Sequence, residues 1–235
     1  MSPRKVRDIE YHLLPGTSRT TTDIVIERDG KVVVRPPVGY EPERVDEVVD
    51  SKRMWIYRNL ADWKDLNACA VVREWVSGET FLYLGREHLL TLVSGQARSL
   101  MLKNGSFCLE RSCIERLGPA GARDAFKQFY INKGQERFHA RVDFYAPKVG
   151  VRASGIKVKE MGYRWASCGT SGILNFHWKC MMAPPRIIDY IVVHELCHYH
   201  QQNHTDAFWN EIDKVLPDYR ERKNWLRLHG VMLDI

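Results

Sequence analysis

Between Ile173 and Lys179 the chain alternates. Leu174, Phe176 and Trp178 take one face and Asn175, His177 and Lys179 the other, which predicts a half-buried strand. Directly after it the period changes. Pro184-Pro185 suits a helix start, and Ile187-Ile188 with Ile191-Val192-Val193 is apolar almost all round, so a buried helix follows. Thr205 then reads as the N-cap of a helix over 206–215. Pro217 breaks it, and a short helix over 220–229 ends at Gly230.

Upstream, residues 1–20 show no period and predict irregular chain. Thr22–Glu27 and Lys31–Arg35 are β-rich runs flanking Asp29-Gly30, a hairpin signal. From Glu41 to about Trp63 a helical stripe runs through Val45, Val48, Val49, Met54, Trp55 and Ile56. Short apolar runs at 81–84, 89–93, 99–102 and 107–109, parted by Gly85, Gly95 and Gly105, predict an antiparallel meander. No repeat and no nucleotide-binding loop is visible there. A long helix follows from Pro119 to about Tyr145, weakened at Gly134. Ile156–Glu160 alternates as a strand, and Arg164–Gly172 is a loop. The fold class is α+β, divided into a β-rich N-terminal region with one packing helix over 1–115 and a second domain over 116–235.

Composition adds little to this. With 235 residues, 44% hydrophobic and 27% charged, the chain is of ordinary globular make-up. It has no apolar run long enough to cross a membrane and no secretory signal. The six cysteines make no C-x-x-C pair and read as reduced thiols, so the expected location is cytoplasmic. The net charge of +6 is spread among acidic residues. That describes a solvated surface, with a nucleic-acid-facing patch as the alternative.

The chemistry lies inside the apolar helix. His194, Glu195 and His198 spell H-E-x-x-H, which puts two imidazoles one turn apart on one face with a carboxylate beside them. Burying three ionisable groups costs heavily unless they are paired or hold a metal. The bland alternative is a satisfied histidine pair. On an unbroken helix His204 would stand about 15 Å from His194 along the axis. A third ligand at His204 therefore requires the helix to end near Gln201 or Gln202, with Asn203 as a left-handed turn residue. His200 is the rival, on a different face. Tyr219 and His229 are candidates for an oxyanion-stabilising donor, the alternative for Tyr219 being a packed aromatic.

The run Arg164-Trp165-Ala166-Ser167-Cys168, the strand after it and A-P-P-x-x-x-D-Y-x-V-x-H-E-L-x-H resemble the YgjP-like metallopeptidase family. So do N-H-T-x-x-F-W at 203–209 and P-D-Y-x-x-x-K-x-W-L at 217–226, as well as the segments 31–56 and 77–88. Ala166 stands where the family usually has glycine. The resemblance implies a zincin-like fold related to SprT-like and WLM proteases, with a small antiparallel sheet and an active-site helix pair. It implies zinc held by His194, His198 and His204, Glu195 as the catalytic residue, and the strand before the helix as a cleft edge that pairs with an extended peptide. The expected activity is peptide hydrolysis on a peptide or protein substrate. Two alternatives stand beside it: a metal-dependent nucleotide (UTP-type) pyrophosphohydrolase, an activity attached to some YgjP-like proteins, and a non-catalytic binding module braced by its metal.

Overall fold

Ile9, Tyr11 and Leu13 alternate with Glu10 and His12, and this period-two pattern builds the first sheet. The computed structural model describes residues 2–17, 20–26, 30–67, 73–162, 164–169 and 171–235. Strands β1 (Ser2–Val6) and β2 (Ile9–Leu13) pair antiparallel, so the irregular chain expected over 1–20 is corrected to a hairpin. Arg4 and the Tyr11 hydroxyl both reach Asp46, at 2.7 and 2.5 Å. Strands β3 (Asp23–Ile26) and β4 (Val32–Arg35) form the expected antiparallel pair, while Asp29 of its turn lies outside the described residues. β2 runs parallel to β4, giving the order β1-β2-β4-β3. The expected single helix is two, α1 (Pro42–Ser51) and α2 (Arg53–Asn67). Val45, Val49 and Ile56 carry the stripe across the break and are fully buried with Ile9 and Tyr11.

The chain divides into two compact units, Met1–Ala70 and Val71–Ile235. In the second, β5 (Thr80–Tyr83), β6 (Arg86–Val93), β7 (Leu100–Lys103) and β8 (Ser106–Glu110) make a sheet of order β5-β6-β8-β7. It is not the meander expected, because β6 and β8 pair in parallel. The β7–β8 turn is Asn104-Gly105 with φ of 50° and 78°, as a type I′ hairpin requires. Both four-stranded sheets follow one plan: two antiparallel hairpins joined through a parallel inner pair, with a helix after the last hairpin.

Helix α3 (Arg111–Leu117) leads into α4 (Pro119–Val149), the 31-residue spine of this unit. Near its start, Phe126 stacks on Phe81 at 4.3 Å and the Tyr130 hydroxyl bonds the Leu82 carbonyl at 2.6 Å. Further along, Phe138 stacks on Phe176 at 4.0 Å. One helix thus serves the cores of two sheets, and the boundary expected at 115/116 falls inside a single hydrophobic core. Gly134 is buried where a Cβ would stand 3.1 Å from Val158 and 3.3 Å from Met181. Its helix-weakening cost accompanies close packing.

The other sheet holds β9 (Gly155–Lys159), β10 (Ala166–Cys168) and β11 (Ile173–His177) in the order β10-β11-β9. β11 pairs parallel with β9 and antiparallel with β10. Two expectations change here: the sheet is mixed rather than antiparallel, and β11 is its centre rather than its edge. Alternation along β11 reports which face is buried, not which strands flank it. Leu174, Phe176 and Trp178 are buried as expected, each contributing about 1.5–3 kcal/mol. A 3-10 turn over Trp178–Met182 then delivers the chain to α5 (Pro185–Cys197), followed by α6 (Asp206–Val215) and α7 (Tyr219–His229).

Glu160, at the end of β9, fastens this region. It accepts from His177 Nε2 at 2.7 Å and the Trp178 indole at 2.9 Å, with Lys127 at 3.4 Å. Burial alone would raise its carboxyl, but the Trp178 N–H and the His177 and Lys127 charges bring it down to about 2. A lowered folded-state value contributes stability above the ordinary 4.5, lost as pH falls through about 2. Acid unfolding should show this: Glu160→Gln is expected to be less stable than wild type at neutral pH, the difference closing as pH falls from about 4.5 to about 2. A gap of constant size across that range would remove the carboxylate from the account.

Candidate metal centre

α5 is positioned before its chemistry is considered. Ile187, Ile188, Ile191, Val192, Val193 and Leu196 are buried around it. Asp189, the acidic residue in an otherwise apolar run, receives Arg141 of α4 bidentately at 2.6 and 3.0 Å and the Tyr145 hydroxyl at 3.1 Å. This clamp was missed in the sequence, although a carboxylate in a helix buried all round signals a partner. The helix ends at Cys197, four residues before the expected stop, and tight turns carry it through Gln201. Asn203 is not left-handed. The Thr205 N–H bonds the Asn203 carbonyl at 2.8 Å, a γ-turn centred on His204. Thr205 caps α6 by position, without a side-chain bond.

That γ-turn swings His204 back to the helix. One nitrogen from each of His194, His198 and His204 lies within 4.8 Å of the other two, and the ring centres are 4.9 to 5.0 Å apart. The Nε2 atoms of His194 and His204 stand 3.0 Å apart. His198 Nδ1 bonds the Gln201 carbonyl at 3.0 Å, which fixes its tautomer and frees Nε2. His200 points elsewhere, its Nε2 bonding the Val149 carbonyl at 2.8 Å. Phe208 touches all three rings at 4.7 to 4.9 Å, and Trp209 stacks on His204 at 5.7 Å, which accounts for the F-W of the sequence motif.

Burial first, then the charges of His198, His204 and Lys223, holds His194 well below the ordinary imidazole range. Burial likewise lowers His198 and His204. Three neutral imidazoles, one nitrogen of each within 4.8 Å of the others, suit a bound cation. The donor set, three imidazole nitrogens, fits zinc.

Glu195 is buried beside them at 5% exposure. Burial pushes its carboxyl up to about 8, against the pull of the Cys168 backbone N–H and the Arg164 charge. The Cys168 bond was not legible in the sequence, since a backbone donor leaves no mark on residue identity. β10 supplies it from its free edge. The Trp165 carbonyl and the Gly169 N–H turn toward β11, at 2.8 and 2.9 Å, so Ala166 and Cys168 face outward. Ala166 is extended, and alanine serves there without strain. Of the oxyanion candidates, Tyr219 is packed flat on Trp209 at 5.5 Å, and His229 stacks on Trp225 and bonds its carbonyl at 2.9 Å.

A helix bearing two histidines one turn apart around a buried glutamate, closed by a histidine from the following elbow, defines the class of metal-dependent hydrolases. A family model described as "YgjP-like, metallopeptidase domain" matches residues 20–229, and the chain belongs to that family. No curated protein matches it. Among solved structures it is similar to the metallopeptidase zymogen of Pyrococcus abyssi abylysin, at 18% identity and a TM-score of 0.36, over 40% of this chain and 92% of that one. No helix among the described residues is long and apolar enough to cross a membrane.

Proposed function

We propose that this protein is a zinc-dependent peptidase of zincin-like plan, with His194, His198 and His204 as metal ligands and Glu195 as general base. The observation that carries this reading is the convergence of three neutral imidazoles beside a buried carboxyl at a free strand edge. When bound, zinc polarises a scissile carbonyl and makes water more acidic. Glu195 takes a proton from the attacking water and passes it to the leaving amine nitrogen. The Cys168 N–H holds that carboxylate in place, and the buried Phe208 packs against all three histidine rings. The outward backbone groups of Ala166 suit pairing with an extended peptide, a role moved here from β11. A cytoplasmic location belongs to the same proposal.

Mass spectrometry of the zinc-loaded protein incubated with a mixed peptide library tests the reading. New internal fragments, absent after chelation and restored by zinc, are the expected result. Release of pyrophosphate from UTP with the library left intact would replace it by the pyrophosphohydrolase reading. Neither reaction, with metal bound, would leave a metal-braced binding module.

A further inference from the structure

The motif P-D-Y-x-x-x-K-x-W-L has so far explained packing only, and its lysine remains. On α7, Arg220, Lys223 and Arg227 follow at spacings of three and four and share a face. Arg227 is bonded to the Asn224 side chain, and Arg220 lies over its neighbour Tyr219 at 5.1 Å. Lys223 differs. Its Nζ stands 3.9 Å from the centre of the Trp209 ring, and that ring lies 5.7 Å from His204 and 6.0 Å from His194. Lys223 is exposed and has no carboxylate partner among the described residues. The aromatic face restrains an otherwise mobile ammonium beside the histidines.

We propose that Lys223, seated on Trp209 at the margin of the histidine cluster, receives an acidic side chain of the substrate next to the peptide bond to be cut. A fixed cation there complements a carboxylate and disfavours a lysine or arginine. The same helix face does not suit a nucleic-acid backbone. Of its three cations Arg220 lies over Tyr219 and Arg227 is bonded to the Asn224 side chain, so the available cation is a point rather than a track. The bond being cut rests on the peptidase reading, whereas the binding of the acidic group does not.

The test separates the two by measuring binding in zinc-loaded Glu195→Gln protein, which does not consume its ligand. Two labelled peptides are compared by fluorescence anisotropy, differing only in glutamate or glutamine beside the central bond. The expected result is about tenfold tighter binding of the glutamate peptide, shrinking as salt is raised. Adding Lys223→Gln should abolish the preference with zinc content unchanged, Lys223→Arg should keep it, and Lys223→Glu should turn it toward a lysine peptide. No preference in the parent, a preference that survives Lys223→Gln, or loss of zinc in that variant would each overturn the proposal. Displacement of the glutamate peptide by a single-stranded oligonucleotide that binds more tightly, through the same lysine, would overturn it in favour of nucleic acid. If the glutamate preference holds but enzyme with native Glu195 leaves the peptide uncut, the subsite stands and the peptidase reading falls.

Discussion

Glu195→Gln is expected to keep its metal, lose about 10³-fold in peptide turnover, and become more stable than wild type in the metal-free state at alkaline pH. The first two follow from the glutamate's position, since amide and carboxylate fill the same space but only one accepts the water's proton. The third follows from burial. The carboxyl is pushed from its ordinary 4.5 up to about 8, so the folded protein keeps a proton that the unfolded chain gives up between those values. Folding stability in that window therefore falls as pH rises, and the loss is complete above about 8. Glutamine has no proton to lose. Elemental analysis, kcat and melting temperature at pH above and below the window check the three parts. Full activity in the variant excludes Glu195 as the base. Equal pH slopes in both metal-free proteins would show that the carboxyl is not held in a dry site.

The second large effect separates the two histidines that follow the helix. His204→Ala is expected to lose zinc, whereas His200→Ala is expected to retain it. His204 Nε2 is 3.0 Å from His194 Nε2, while His200 is spent on the Val149 carbonyl at 2.8 Å. Losing a supporting partner of a ligand already costs about 10–100-fold in affinity, and losing one of three ligands should cost more. Zinc content after dialysis against a competing chelator, measured for wild type and both variants, decides it. Retention in His204→Ala with loss in His200→Ala would overturn the ligand set.

Much of this site was legible in the residues because its parts depend on local pattern. The apolar run placed α5, the i, i+4 spacing placed His194 and His198 on one face, and the Thr205 start of α6 forced an elbow at His204. What the residues concealed was pairing and backbone. β10 spans three small residues with no alternation, and hydrogen bonds to β11 define it. The parallel partners β2–β4, β6–β8 and β9–β11 come from distant stretches, and a period of two carries no strand direction. The turn at His204 is a γ-turn rather than the expected left-handed asparagine, because one short backbone bond reverses the chain without it. That α4 presents aromatics to two sheets was also hidden, because a linear reading sees only that the helix is long.

The shared plan of the two four-stranded sheets bears on how the chain acquires its shape. Each outer pair joins strands that are neighbours in sequence, and such hairpins form within microseconds. The inner parallel pair joins strands that are separated by an intervening strand, so it closes a longer loop than either hairpin. Each sheet thus combines arms of low sequence separation with a central seam of higher separation. In the second unit Leu84 and Gly85, at the β5–β6 turn, bond the Met181 and Met182 carbonyls just ahead of α5. The stretch that leads into the histidine helix is therefore fastened to a local hairpin, so its support depends on β5–β6 rather than on the parallel seam.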